Sequence, residues 1–403
     1  MKAGWKTVKL GDVADITSGL WKGELGELIE AKVYRATNFI GNGELSDDKL
    51  VSIPVELKKL TKRTLEPGDI LLEKSGGGPN QPVGRVGFFG KSEPLHSFSN
   101  FTSRLRVRKG SSLDPKFLHK YLFWTHLRGD TASMQNNSTN IRNLDLDKYR
   151  EIEIPLPPLT EQERIVALLD EAFAGIDEAK AKAEAAQRAS AKIFESQVGL
   201  SFKENSAWKE ATLSDLGETL TGTTPPTANP EYYGEYIPFV KPADFNEDGT
   251  LVVDNHGLSK EGMKVARVTN PDSVLMVCIG ATIGKTGYTT TRITTNQQIN
   301  SFTPGSLVNF KFAYYQMISS SFQKEVFARA NQATMPMISK SKWSQISLRF
   351  PNNYDTQVKV AERLSELKFL TGKLSEIADR KVAALNEIRS SLLAQAFAGE
   401  LTA

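Results

Sequence analysis

Apolar and small residues between Glu161 and Leu200 fall at Ile165, Leu169, Ala172, Ile176, Ala179, Ala183, Ala186, Ser190, Ile193, Gln197 and Leu200. The steps alternate four, three, four, three, the seam spacing of a coiled coil. No proline interrupts the run, and Gly175 is its only helix-weakening residue before Gly199. A second run keeps the register through Val360, Leu364, Leu367, Thr371, Leu374, Ala378, Lys381, Leu385, Ile388, Leu392 and Gln395. The first seam is rich in alanine and the second in leucine. The pattern therefore predicts two rods of roughly 60 Å that pair antiparallel, large side chains filling the space beside small ones. Pro155, Pro157 and Pro158 hold the chain extended before the first rod, and Thr160 with Glu163 forms a capping box at its start. The second rod follows Pro351, with Asp355 as its cap.

The segments outside the rods are written twice. Trp5-Lys6-Thr7-Val8-Lys9-Leu10-Gly11-Asp12, closing on Gly19, returns as Trp208-Lys209-Glu210-Ala211-Thr212-Leu213-Ser214-Asp215, closing on Gly222. Tyr34 to Phe39 is answered by Val240 to Phe245, and Gly84-Arg85-Val86-Gly87-Phe88 by Gly284-Lys285-Thr286-Gly287-Tyr288. Each half then passes an aromatic-rich segment and a polar stretch (Asn136–Ile141 or Asn331–Ile338) before its rod. A period of about 200 residues is too long for a solenoid and marks two copies of a domain-sized unit. The expected architecture is mixed α/β: globular domains over residues 1–158 and 204–353, helical spacers over 159–203 and 354–403, and an internal pseudo-two-fold repeat.

Composition removes several classes of function. A single cysteine, Cys278, excludes a disulfide framework or a cysteine zinc site, and the four histidines (His96, His119, His126, His256) lack metal-ligand spacing and read as surface or packing residues. No run reaches the roughly 18 apolar residues of a membrane span, and the first residues carry no signal-like apolar segment, so a cytoplasmic location is expected. Net charge is only +3, but up to Pro158 basic residues outnumber acidic ones by 24 to 19. That modest excess favours phosphate contacts by the first unit.

Gly280-Ala281-Thr282-Ile283-Gly284-Lys285-Thr286 looks like a phosphate-binding loop but has three residues between its glycines where four are needed. The matching segment of the first half has Arg85 in place of the lysine and no Ser or Thr after it. Neither a methyltransferase signature nor a Gly-x-Gly-x-x-Gly cofactor loop occurs, and the copies share no titratable pair suited to a duplicated active site. A non-catalytic binding protein fits better than an enzyme.

The Trp-Lys-x3-Leu-x-Asp-x6-Gly starts, Ile154-Pro155-Leu156-Pro157-Pro158-Leu159-x2-Gln162 and Ala396-Phe397-Ala398-Gly399-Glu400-Leu401 together resemble the specificity (S) subunits of type I restriction-modification systems over essentially the whole chain. The second helix start departs from the pattern, having kept only Pro351. The resemblance implies two target-recognition domains, each reading one half of a bipartite double-stranded DNA target in host defence, with the helices as a ruler. It implies partners: two modification subunits, forming an adenine-N6 DNA methyltransferase, and restriction subunits that make the complex an ATP-dependent nuclease. S-adenosylmethionine, ATP and Mg would belong to those partners, with no cofactor or metal in this chain. Residues expected at the subunit and helix contacts are Pro155, Pro157, Pro158, Gln162, Ile165, Leu169, Leu364, Leu367, Leu374 and Leu385. Base edges and phosphates call for Arg, Lys, Asn and Gln. The expected DNA contacts are Arg35, Asn38, Lys74, Gly77, Arg85, Arg104, Arg106 and Arg108 in the first unit. In the second they are Lys241, Asp244, Lys285, Arg292, Asn296, Gln297 and Gln298. The other class the sequence allows is a coiled-coil scaffold whose globular domains bind proteins.

Overall fold

The computed structural model describes residues 4–21, 27–78, 81–92, 95–138, 141–203, 205–253, 257–331 and 335–401. His256, Thr139–Asn140 and Gln332–Thr334, named above, lie outside them. The chain forms two compact units, Met1–Ala181 with Val382–Ala403, and Lys182–Lys381. Each contains one globular part, the start of the long helix that follows it and the far end of the other long helix. The helices run Leu159–Ser201 and Tyr354–Ala398.

In the first unit a four-stranded antiparallel sheet has the spatial order Ala14–Ser18, Thr102–Val107, Asp69–Glu73, Val86–Phe89. The second repeats it with Gly217–Thr221, Ile299–Pro304, Ser273–Val277 and Thr286–Thr289. Asp69–Glu73 is buried along its whole length because both sheet faces are covered. Ile70 and Leu72 point into one core with Phe117, Leu122, Ile165, Leu169 and Phe397, while Leu71 points into another with Tyr34, Phe39, Phe89 and Phe98. A further pair of strands, Lys6–Lys9 with Glu153–Leu156, brings the first residues of the unit beside the segment that leads into its helix. Lys209–Thr212 with Ser347–Phe350 does the same in the second. The Trp-Lys starts are thus framework.

One buried amide fixes each helix start. Gln162, fully buried, donates from Nε2 to the Ser112 and Pro157 carbonyls (2.8 Å each) and accepts from the Asp114 N–H (2.8 Å). Gln357 makes the same three bonds, to the Leu307 (2.9 Å) and Pro351 (3.0 Å) carbonyls and from the Asn309 N–H (2.9 Å). The loss of prolines before the second helix leaves this junction intact. Gln162 therefore holds its own domain and is not a surface group awaiting a partner.

The helices pair antiparallel within each unit, but along a seam rotated from the sequence pattern. Seven of the 22 expected positions (Ile165, Leu169, Ile176, Ala183, Ser190; Leu364, Ala378) are buried, with Leu385 partly so. At several others the covered position moves on by one residue. Ala172 gives way to Phe173, Ala186 to Gln187 and Ile193 to Phe194; Leu374 gives way to Ser375 and Ile388 to Arg389, while Leu367 and Lys368 are both half-buried. Leu374, Ile388 and Ile193 are about half exposed. The cause is the globular part, which packs on one flank of each rod and widens the buried arc to that side. The seam is consequently more polar than size complementarity predicts. Gln187 donates to Ser375 Oγ (2.9 Å) and Asp379 Oδ1 (3.0 Å) in the second unit, while Lys180 reaches Asn386 Oδ1 (3.0 Å) and Arg389 pairs with Asp177 in the first.

At equivalent places the seam carries inverted cation–aromatic stacks. In the first unit the Phe173 ring lies between Lys120 Nζ (4.7 Å from its centre) and the Arg389 guanidinium (4.6 Å). In the second, Lys368 replaces that ring, with its Nζ 5.4 Å from the Phe194 centre and 5.1 Å from that of Tyr314, whose hydroxyl accepts from it at 2.6 Å. Burial pulls the Lys368 ammonium from its ordinary 10.5 down to about 8.

Gln162→Ala leaves one N–H and two carbonyls buried without a partner and should cost about 3 kcal/mol in urea denaturation, as should Gln357→Ala. A loss below about 1 kcal/mol would contradict the locking role. The depressed Lys368 group makes a second expectation. Between pH 8 and 10.5 the unfolded chain holds more protons than the folded one, so stability rises with pH through that window. Lys368→Met should lack the rise; a constant wild-type-to-variant difference across the window would refute it.

Candidate nucleic-acid interface

At one end of each central sheet three strand ends converge: in the first unit those at Ser18, Glu73 and Thr102. The Gly19 N–H donates to the Thr102 carbonyl (3.1 Å), and a Cβ on Gly19 would lie 2.0 Å from the Ser99 carbonyl oxygen. Gly222 repeats this against Ile299 (3.0 Å) and the Asn296 oxygen (2.2 Å). The glycine that closes each repeat motif is thus required by the close approach of two loops. Matching backbone bonds, Lys74 N–H to the Phe101 carbonyl (3.0 Å) and Cys278 N–H to the Gln298 carbonyl (2.7 Å), set the next loop beside them. That loop turns through Gly76 (φ +101°) and Gly280 (φ +103°).

Several predicted residues gather at these tips. Arg35 and Lys241 are exposed at equivalent positions, each beginning a single 3-10 turn whose third residue, Asn38 or Asp244, accepts the Arg35 or Lys241 N–H (2.8 and 2.7 Å). Asn38 also donates to the Ser46 carbonyl (2.9 Å) and is buried, so it shapes the turn. Lys74 reaches Ser18 Oγ (3.0 Å), and partial burial lowers its ammonium pKa. Asn296, Gln297 and Gln298 form the tip of the second unit. Asn296 Nδ2 donates to Gln298 Oε1 (2.8 Å), and the Thr224 hydroxyl donates to Gln297 Oε1.

Other predicted residues are tied into the frame. Arg85 forms a bidentate pair with buried Glu73 (2.7 Å twice) and donates to the Ala36 (3.0 Å) and Phe39 (3.3 Å) carbonyls. Lys285 keeps one of those bonds, to the Phe245 carbonyl (2.7 Å), and Val277 stands in place of the acid. The shared Gly-basic-x-Gly motif thus ties a strand to the 3-10 turn. It is no phosphate loop, since its lysine is spent and Thr286 Oγ1 donates to the Gly284 carbonyl (2.8 Å). Arg106 holds Asp69 through two 2.7 Å bonds and Glu66 through a third, which raises its pKa; Arg108 holds Asp15 (2.9 Å). Arg104 is buried, donates to the Thr64 carbonyl and Thr17 Oγ1 (3.3 Å each), and has its pKa lowered by desolvation and then by Arg106. Gly77 faces its own chain: a Cβ there would lie 2.5 Å from the Gln81 carbonyl oxygen. Arg292 is exposed at the start of Ile293–Thr295, the opposite end from Asn296.

Sequence reasoning missed four features of the tips. Trp21, 73% exposed, follows the closing glycine by two residues, and Phe101, 44% exposed, sits in the adjoining loop. Arg63 donates from Nε to the Ser18 carbonyl (2.8 Å) and Arg267 from its guanidinium to the Thr221 carbonyl (3.0 Å), the same position in both units. Beside Arg63 lie Lys58, Lys59 and Lys62, all exposed. Four basic residues within six positions are a visible charge run in the sequence. Among the described residues, no cluster of His, Cys, Asp or Glu could hold a metal and no helix is long and apolar enough to cross a membrane. The Cys278 thiol is buried and pushed up to about 12, so it is no nucleophile.

The sequence profile described as "Type I restriction modification DNA specificity domain" matches residues 2–187 and again 205–378. The chain belongs to this family. Its relatives include the type I restriction enzyme HindI specificity subunit of Haemophilus influenzae, 30% identical over 200 residues, which are 48% of this chain and 42% of that subunit. The EcoBI specificity subunit of Escherichia coli is 24% identical over 334 residues, 74% of this chain and 69% of the relative. The chain thus matches less than half the length of the HindI subunit. A solved chain from work on complex assembly and conformational transition of the type I R-M system superposes with a TM-score of 0.75 at 18% identity, covering 100% of this chain and 99% of its own. The HsdS subunit from Thermoanaerobacter tengcongensis does so at 0.55 and 17%, covering 100% and 98%. At these identities the superpositions establish the shared fold, two specificity domains of mixed α/β structure with a long helix following each.

Arg85→Ala, which strands the buried Glu73 carboxylate, should cost about 3–5 kcal/mol of stability. Combining Arg85→Lys with Glu73→Val copies the arrangement of the second unit and should recover most of that loss. Equal instability of the double variant and Arg85→Ala in thermal melts would rule out a framework role.

Proposed function

We propose that this chain is the non-catalytic DNA-recognition subunit of a type I restriction-modification complex, each globular part reading one half of a bipartite double-stranded target. The observation that carries the proposal is the pairing of one repeated frame with two chemically different tips. Matching glycines, carbonyl-bound Arg63 and Arg267, and exposed Arg35 and Lys241 support a common approach to the DNA backbone. Trp21 and Phe101 in one unit, against Thr224 and Gln298 in the other, support different sequences being read. Phosphate contacts fall to Arg35, Lys58, Lys62 and Lys74 in the first unit and to Lys241 in the second.

The paired helices set the gap between half-sites and dock two modification subunits, with restriction subunits joining that core. S-adenosylmethionine, ATP and Mg are bound by those partners, and this chain contributes positioning alone. A scaffold that binds proteins through its globular parts is the competing reading. Methylome sequencing of cells carrying the chain with its modification subunits separates the two: a bipartite methylated motif is expected, and its absence, together with no sequence-selective gel shift, would favour the scaffold. Adding seven residues to each helix, beside Ala183 and Ala378, preserves the heptad and lengthens each rod by about 10 Å. The unspecified spacer should then grow by about three base pairs, while an unchanged spacer would refute the ruler.

A further inference from the structure

The recognition tips differ between the units in a systematic way once equivalent positions are set side by side. The shared backbone bonds place Trp21 at the position of Thr224, Asn100 at that of Gln297 and Phe101 at that of Gln298. In the first unit this strip presents two exposed aromatic rings, 73% and 44% accessible, which join none of the apolar cores formed by the described residues. In the second it is an amide network with a definite polarity. The Gln298 side-chain oxygen Oε1 already accepts from Asn296 Nδ2, and Gln297 Oε1 accepts from the Thr224 hydroxyl. The Nε2 groups of both glutamines have no hydrogen-bond partner among the described residues, so the strip offers unspent amide donors from two consecutive residues.

From this contrast, and resting on the DNA-recognition reading above, we infer that this strip is a specificity determinant in both units and reads opposite chemistry. Trp21 and Phe101 take the apolar feature of the major groove, the thymine 5-methyl group. Gln297 and Gln298 take adjacent acceptors, the N7 and O6 of guanine. The major groove offers both: thymine alone carries a methyl group there, and guanine alone presents two neighbouring acceptors with no donor between them. Each amide oxygen already accepts one hydrogen bond within the protein, which makes it the weaker half of a glutamine–adenine pairing, whereas both amide nitrogens are unspent and suit a base edge that presents acceptors alone.

Base analogues test this in the assembled complex of the full chain with its modification subunits, using the duplex whose motif the wild-type methylome defines. Uracil in place of thymine in the half-site read by the first unit removes only the methyl group. 7-Deazaguanine in the other half-site removes only N7. Each replacement should weaken wild-type binding roughly five-fold or more. The pair Trp21→Ala with Phe101→Ala should lose sensitivity to uracil and keep sensitivity to 7-deazaguanine; Gln297→Ala with Gln298→Ala should do the reverse. A second half-site without guanine, a wild-type complex indifferent to either analogue, or a variant pair that alters both responses would each overturn the inference while leaving bipartite recognition standing. Failure of the recognition reading shows separately, as a wild-type complex with no sequence preference.

Discussion

Everything outward of the helices depends on the three hydrogen bonds of a single buried amide, Gln162 in one unit and Gln357 in the other. The first turn of a helix leaves backbone N–H groups without internal partners, and the strand arriving before it leaves carbonyls unpaired. A glutamine inside that first turn gathers the loose ends of two other segments, the one before the helix and the one before Asp114 or Asn309. Because those segments lead into the central sheet and into the helix that follows it, Pro115–Leu127 or Phe310–Met317, the amide fixes the angle at which the globular part leaves its rod. Its three bonds are the same in both copies although the flanking prolines are not.

The framework tolerates change only in linked pairs. Asp69 and Arg106 form an ion pair in the first unit; the equivalent Ser273 and Thr303 share a 2.7 Å hydroxyl hydrogen bond in the second. Glu73 and Arg85 become Val277 and Lys285. In the first case the acid and its base vanish together; in the second the acid is lost and the base that remains, Lys285, donates to the Phe245 carbonyl, so neither copy keeps a buried carboxylate without its cation. These charges therefore belong to folding, and the groups left free to meet a ligand are the ones whose partners lie within the tip itself.

The sequence showed the duplication, the helix boundaries and the tip residues Arg35, Lys241 and Asn296–Gln298, because each rests on a local pattern or on the alignment of one copy with the other. It did not show that Arg85, Arg104 and Arg106 were already committed. Residue type marks an arginine as a phosphate binder, but the acids that hold Arg85 and Arg106, and the Thr64 carbonyl and Thr17 hydroxyl that hold Arg104, lie 12 to 87 residues away and meet them only in the folded chain. The seam was partly legible for a similar reason. A heptad count sees apolar residues and assumes one neighbour, whereas each rod here has two, so Leu374 and Ile388 turn outward and Ser375 and Arg389 turn in. Trp21 escaped notice because comparing copies rewards what they share, and its counterpart is a threonine.

The inverted stacks around Phe173 and Lys368 bear on how such a protein can be rebuilt by recombination. The bonds that hold each tip, at Gly19 and Gly222, join it to its own central sheet, so a foreign tip can be grafted wherever that approach is kept. A rod cannot be traded so freely. Copying the second rod's residues into the first would set Lys368's ammonium against both Lys120 and Arg389, three cations where one ring now separates two. The heritable module is therefore smaller than the repeat: recognition surfaces can be shuffled between chains, while positions 120, 173 and 389 must travel together.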